Sequence, residues 1–139
     1  MRDRLEALYL DILASARYEL VSSTPEATVI GDPPGERTTD DMLLRRSKIE
    51  AFASQAVADT YEALGTECRR TTYWSSLGTA RVREGLRQQF PDDPVTQFPP
   101  EAVDMDVEQL KAKAREHWAH AERLYGQLVT LVRRELAFG

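Results

Sequence analysis

The chain's two histidines stand together in Arg115-Glu116-His117-Trp118-Ala119-His120. At this spacing on a helix, His117 and His120 share one surface. Imidazole ionises near neutral pH and is a common metal ligand, so proton transfer and metal binding are the chemistries to weigh. A metal centre needs one or two more ligands from other elements. The chain has no third histidine, no Glu-x-x-His pair and no His-x-x-x-His spacing, so neither a metal nor a cofactor is expected. His117 falls on an apolar stripe, and the plain reading there is a hydrogen-bonded, partly buried imidazole. The single cysteine lies in Thr66-Glu67-Cys68-Arg69-Arg70. Two guanidiniums could lower its pKa, but no histidine is near in sequence to serve as a base, and a structural cysteine is the simpler reading.

Arg115 and His120 are also spaced as Arg-x4-His. This resembles the Arg-x4–6-His signature of HEPN ribonucleases, helical bundles in which two such motifs meet across a dimer. The resemblance implies metal-free RNA cleavage by Arg115 and His120. The chain departs from the pattern at Glu116, where a small polar residue is usual, and at Glu122, where one branch has tyrosine. Five residues on a helix also turn through ~140°, which sends Arg115 away from the stripe. A second stretch, Leu77-Gly78-Thr79-Ala80-Arg81-Val82-Arg83-Glu84, resembles the recognition-helix region of the GntR family of winged-helix repressors. That family has two more residues between the glycine and the Val-Arg-Glu unit, and no wing is visible here.

Arg69, Arg70, Arg81, Arg83 and Arg87 make this region basic, with Glu84 its only acid. Interleaved with Tyr73 and Trp74, it could bind nucleic acid or a small ligand. His117 and Trp118 are further candidate binding residues. The alternative is a solvated basic face with aromatics as core anchors. Glycine-rich phosphate loops, Gly-x-Ser-x-Gly, Cys-x-x-Cys and calcium loops are absent.

These residues are carried by 139 amino acids with 18 basic and 23 acidic side chains, a net charge of −5. That is one domain, 1–139, long enough to bury a core without disulfides. The acidic balance disfavours a general nucleic-acid coat or a polybasic membrane binder. The charged start Met1-Arg2-Asp3-Arg4, with Asp11 soon after, is unlike a signal or transit peptide. A cytoplasmic location without membrane contact is expected. Arginine outnumbers lysine fifteen to three, a composition consistent with a GC-rich bacterial source.

All seven prolines fall in two windows, Pro25–Pro34 and Pro91–Pro100, which are therefore loops. The second, 91–108, carries six acids and no base. The apolar spacing predicts a helix over 2–22, on Leu5, Leu8, Tyr9, Ile12, Ala16 and Leu20. Val29-Ile30 is a candidate extended piece. A second helix is predicted over 40–64, on Met42, Ile49, Phe52, Ala56 and Tyr61 or Leu64, with Gly65 as its C′ residue or with the helix continuing toward Arg70. A third is predicted over 75–90, on Leu77, Val82, Leu86 and Phe90, weakened by Gly78 and Gly85. The fourth, 106–136, is the most regular, running from Val107 and Leu110 to Leu128 and Leu131. It is longer than the other predicted helices, so its last turns are expected to project into a partner. Asp104 and Asp106 read as helix N-terminal acids.

The expectation is an all-α antiparallel bundle of about four helices with two Pro-rich loops. Its leading function is a non-enzymatic, self-associating interaction module, with a C2 dimer as the commonest form. The alternatives are the HEPN-like ribonuclease and the nucleic-acid or small-ligand binder.

Overall fold

The computed structural model describes residues 2–25, 39–89, 91–92 and 97–138. Four helices follow in order: α1 (Arg2–Ser22), α2 (Thr39–Phe52), α3 (Gln55–Gly85) and α4 (Val107–Phe138). Among the described residues there is no strand, and the helices pack on one another as a small bundle. Val29, Ile30, Pro33, Pro34 and Phe90 lie outside the described residues.

The central unit is an antiparallel hairpin of α3 and α4, nearly equal at 31 and 32 residues. Its register is fixed at three levels. Gly78 faces Leu110, Glu67 meets His117, and Ser54 meets Glu135. α1 lies antiparallel to α4: its start donates from Arg2 to the Leu136 carbonyl at 3.0 Å, and the Leu20 carbonyl near its end accepts from Trp118 Nε1 at 2.9 Å. The stripes predicted for α1 and α4 are the buried ones, with Ile12, Ala16, Leu110, Ala121 and Leu128 wholly enclosed.

The boundary between the second and third helices differs from the sequence expectation. The chain breaks at Ala53-Ser54, and Gly65 is a buried residue inside α3. Ser54 makes the break. Its backbone is extended and its hydroxyl caps α3 by accepting from Val57 N at 3.2 Å. Satisfying one of a helix's orphan donors in this way is worth about 1 kcal/mol. The same hydroxyl donates to Glu135 Oε2 at 2.7 Å, and the Tyr9 hydroxyl joins both partners, accepting from Ser54 N and donating to Glu135 Oε1. One polar knot therefore ties α1, α3 and α4. The expected overhang of α4 also disappears, because α3 runs alongside it and Arg2 holds its last turn.

Two apolar clusters line the hairpin. The larger joins α1 to Val57, Leu64, Cys68, Ala121, Leu124, Leu128 and Val132. The smaller gathers Trp74, Leu110 and Ala114 under Ala102, with Phe98, Leu77 and Met105 beside it. In the smaller cluster the cover is the turn before α4. This turn ends in a reciprocal cap: Gln109 N donates to Asp106 Oδ1 at 2.8 Å, and Asp106 N donates to Gln109 Oε1 at 2.9 Å. Asp106 thus has the N-terminal role expected of it.

Candidate functional site

Between the two clusters the hairpin carries a polar layer. Glu67 sits on the inner stripe of α3 and is only 5 % exposed. His117 and His120 reach it from successive turns of α4. His117 Nδ1 is 2.7 Å from Glu67 Oε2, and His120 Nδ1 is 3.5 Å from Oε1. Arg70, one turn along α3, donates from Nη1 to the same Oε1 at 2.9 Å. Below the layer Thr71, fully buried, donates its hydroxyl to the Glu67 carbonyl at 2.9 Å. Beside it, Trp118 caps the end of α1.

Burying a carboxylate is costly unless it is paired and hydrogen-bonded. Here burial pushes the Glu67 carboxyl upward, but the His117 hydrogen bond and the charges of His117, His120 and Arg70 outweigh it, and the pKa falls below the usual glutamate value. With Glu67 ionised, His117 Nδ1 must carry the proton it donates. In a neutral ring this leaves Nε2 as the basic nitrogen. The exposure is graded: the side chain of Glu67 is 7 % exposed, His117 18 %, His120 49 % and Arg70 56 %. The layer is an anion at the bottom with cationic and ionisable groups above it. Among the described residues no group of three or more His, Cys, Asp or Glu side chains is arranged to hold a metal ion.

Sequence reasoning named His117 and His120 but passed over Glu67 and gave Arg70 no place in this centre. The signal for Glu67 was an acid on the apolar stripe of α3, in line with Leu64, Thr71 and Trp74, all buried. Arg115 lies exposed on α4, and the guanidinium that meets the histidines' carboxylate belongs to Arg70. Trp118 packs beside the larger cluster.

The basic aromatic region is put to other uses. Trp74 is buried in the smaller cluster. Tyr73 stands edge-on to it and donates its hydroxyl to Glu101 at 2.7 Å. Arg81 donates to the carbonyls of Ala102, Val103 and Met105 at 3.0–3.1 Å, pairs with Glu84 and stacks over Phe98 at 3.7 Å. It fastens the turn onto the hairpin. Arg83 is exposed. The Cys68 thiol is pushed up to about 11 by burial, opposite to the activation that neighbouring arginines could have given it.

A second feature lies at the far end of the bundle. Among the described residues of α2 only Ile49 is buried, while Met42, Leu43, Leu44 and Phe52 are each more than half exposed. Met42 and Phe52 were expected on its inner stripe. The helix is fastened instead through Ile49 and through Arg45, whose Nε donates to Asp11 at 2.8 Å. Beside it opens a groove of about 900 Å³, lined by Leu5, Leu8, Phe52 and Leu136, with Arg2, Arg4 and Lys48 also along it.

The class these features define is a small all-helical bundle in which no described helix is long and apolar enough to cross a membrane. No family model, no curated protein and no solved structure matches the chain.

Proposed function

We propose that the protein is a non-enzymatic helical interaction module that pairs with a second copy of itself through α2 and the adjoining groove. The observation that carries this reading is the inverted amphipathicity of α2. A surface helix ordinarily turns its apolar stripe inward, and here Met42, Leu43, Leu44 and Phe52 face out while Ile49 is turned in. Leu44, Lys48 and Phe52 recur at i, i+4 and i+8 and so form one line, and Lys48 and Phe52 already line the groove. Contiguous exposed apolar surface of this kind marks association sites. A second copy suits it because the same helices display both signs of charge, with Arg2, Arg4 and Lys48 against Asp3, Glu6 and Glu50, all exposed. A two-fold contact sets such a patch against itself, cation to acid. Sedimentation equilibrium should show a concentration-dependent dimer, and Leu44→Glu and Phe52→Glu should each give a monomer of unchanged helicity. A wild-type chain that stays monomeric up to several hundred micromolar overturns the reading.

A second reading draws on the polar layer. Glu67 holds His117 Nδ1 at 2.7 Å and lies 3.5 Å from Nδ1 of the more exposed His120, and an imidazole oriented by a carboxylate through Nδ1 can act through Nε2 as a general base, the role metal-free RNA cleavage would need from His120. Incubation of single-stranded RNA with chelator, wild type and His120→Ala tests it: cleavage must occur and must vanish in the variant.

A further inference from the structure

We infer that Arg70, His117 and His120 form a binding site for a phosphate group, assembled within one chain around Glu67. Glu67 divides its two oxygens among three partners. Oε2 takes His117 Nδ1, and Oε1 is shared between Arg70 Nη1 and His120 Nδ1. Both imidazoles turn the same nitrogen to the carboxylate, so the Nε2 of each stays available. Arg70 commits Nη1 and keeps its remaining donors. Arg70 and His120 are about half exposed, whereas the carboxylate between them is not.

The charge balance favours an anion. One buried carboxylate faces one guanidinium and two imidazoles, so protonation of either ring leaves the group net positive. The nearest acid in sequence, Glu116, is 3.7 Å from Lys113 Nζ. A forked guanidinium beside imidazole N–H donors matches tetrahedral phosphate oxygens, which accept several charge-assisted hydrogen bonds at once. Glu67 acts here as a positioning residue: it hydrogen-bonds the His117 ring and one arm of the guanidinium and draws His120 to within 3.5 Å before a ligand arrives, and such preorganisation lowers the entropy lost on binding. The site is separate from the α2 face and does not require dimerisation. It bears on the cleavage reading by supplying the guanidinium from Arg70 of the same chain, not from Arg115.

The test is nitrogen-15 NMR of the imidazole side chains during titration with inorganic phosphate, a mononucleotide and a short single-stranded RNA. Phosphate should shift His120 Nε2 at millimolar concentration. If the natural ligand is nucleic acid, RNA should bind at least about tenfold more tightly than phosphate, a difference of about 1.4 kcal/mol. A mononucleotide as tight as RNA points instead to a free phosphorylated metabolite. Arg70→Gln and His120→Ala should each weaken binding about tenfold, with Arg115→Ala within a factor of two. Glu67→Gln, which keeps the side chain's shape, should weaken binding and shift the ring tautomers even without ligand. The inference fails if no probe moves the imidazole signals, or if binding survives both Arg70→Gln and His120→Ala. Phosphate binding without RNA cleavage removes the cleavage reading and leaves this one standing. Cleavage lost in Arg115→Ala but intact in Arg70→Gln does the reverse.

Discussion

The two halves of the α3–α4 hairpin are closed by different means. The half near Ser54 and Glu135 is covered by a complete helix, α1, whose Tyr9, Ile12 and Ala16 are buried to the last atom or nearly so. The half near Gly78 and Leu110 is covered by a turn contributing Ala102, Phe98 and Met105, held down by Arg81. A helix satisfies its own backbone and offers a continuous apolar stripe. A turn leaves carbonyls to be satisfied, and here a guanidinium takes three of them. One half is thus closed by a helix whose apolar stripe is joined at its end by the Tyr9–Ser54–Glu135 knot, the other by a turn that depends on a single guanidinium, and the Glu67 layer separates them.

Cavities separate the two halves most directly. Leu128→Ala, beneath α1, should cost about 4 kcal/mol, because a packed helix relaxes little around the hole. Leu110→Ala, beneath the turn, should cost about 2 kcal/mol, because the turn can settle inward. Both leucines are fully buried, so starting exposure does not separate them. Equal losses in chemical denaturation would show that the turn is as stiff a cover as the helix.

The clamp itself comes next. Arg81→Met keeps the stem over Phe98 but leaves the carbonyls of Ala102, Val103 and Met105 without their charged donor. Hydrogen bonds to a charged group contribute about 1.5–3 kcal/mol, shared here among three. A loss of about 2 kcal/mol is expected. Hydrogen exchange should accelerate at the Ala102 and Met105 amides, which donate within the turn at 2.9 and 3.0 Å, and the amides around Leu128 should keep their protection. Acceleration in both halves alike would mean that they open as one unit.

The layer between the halves should show itself in acid. Glu67 has a folded pKa lowered by its partners, so the folded state binds its proton less readily than the unfolded chain. Its stabilisation is complete above the ordinary glutamate value near 4.3 and is lost as pH falls through the lowered folded value. Glu67→Gln should cost about 1–2 kcal/mol at pH 7 and less at pH 3, giving a shallower acid limb in thermal unfolding. Parallel curves for the two proteins would place the acid sensitivity elsewhere.

These contrasts also explain what could be read along the chain. α1 and α4 were legible because the apolar stripes visible in their sequences are the ones the fold buries. The end of α2 was not. No glycine or proline marks Ala53-Ser54, and the partners that make Ser54 a cap, Tyr9 and Glu135, are 45 and 81 residues away. Gly65 pointed to a helix end where tertiary packing carries α3 straight through, and Gly78, read as a weak point, is likewise inside the helix. The histidines were legible as a pair. Their carboxylate was not, because the α3–α4 register had to be known before Glu67 could be set against His117, 50 residues on. Arg81 illustrates the same limit: its charge is visible in sequence, its three carbonyl partners are not.

Gly78 gives the smallest effect, and its sign is the informative part. Glycine inside a helix costs about 0.5–1 kcal/mol relative to alanine through backbone entropy, so a buried glycine facing α4 invites the view that the hairpin needs its bareness. The geometry says otherwise. A Cβ placed there meets Leu110 Cβ at 3.8 Å and Lys111 Cγ at 3.9 Å, ordinary van der Waals contact with no backbone in the way. Gly78→Ala should therefore stabilise the fold by about 0.5–1 kcal/mol. It should also slow exchange in the turn-covered half, because the added methyl lies against Leu110 in the smaller cluster. Gly126, exposed and with nothing within 4 Å of its added Cβ, supplies the control for the entropy alone. If Gly126→Ala stabilises and Gly78→Ala does not, the two helices approach more closely at Gly78 than 3.8 Å allows, and the weaker half of the hairpin is the more tightly packed one.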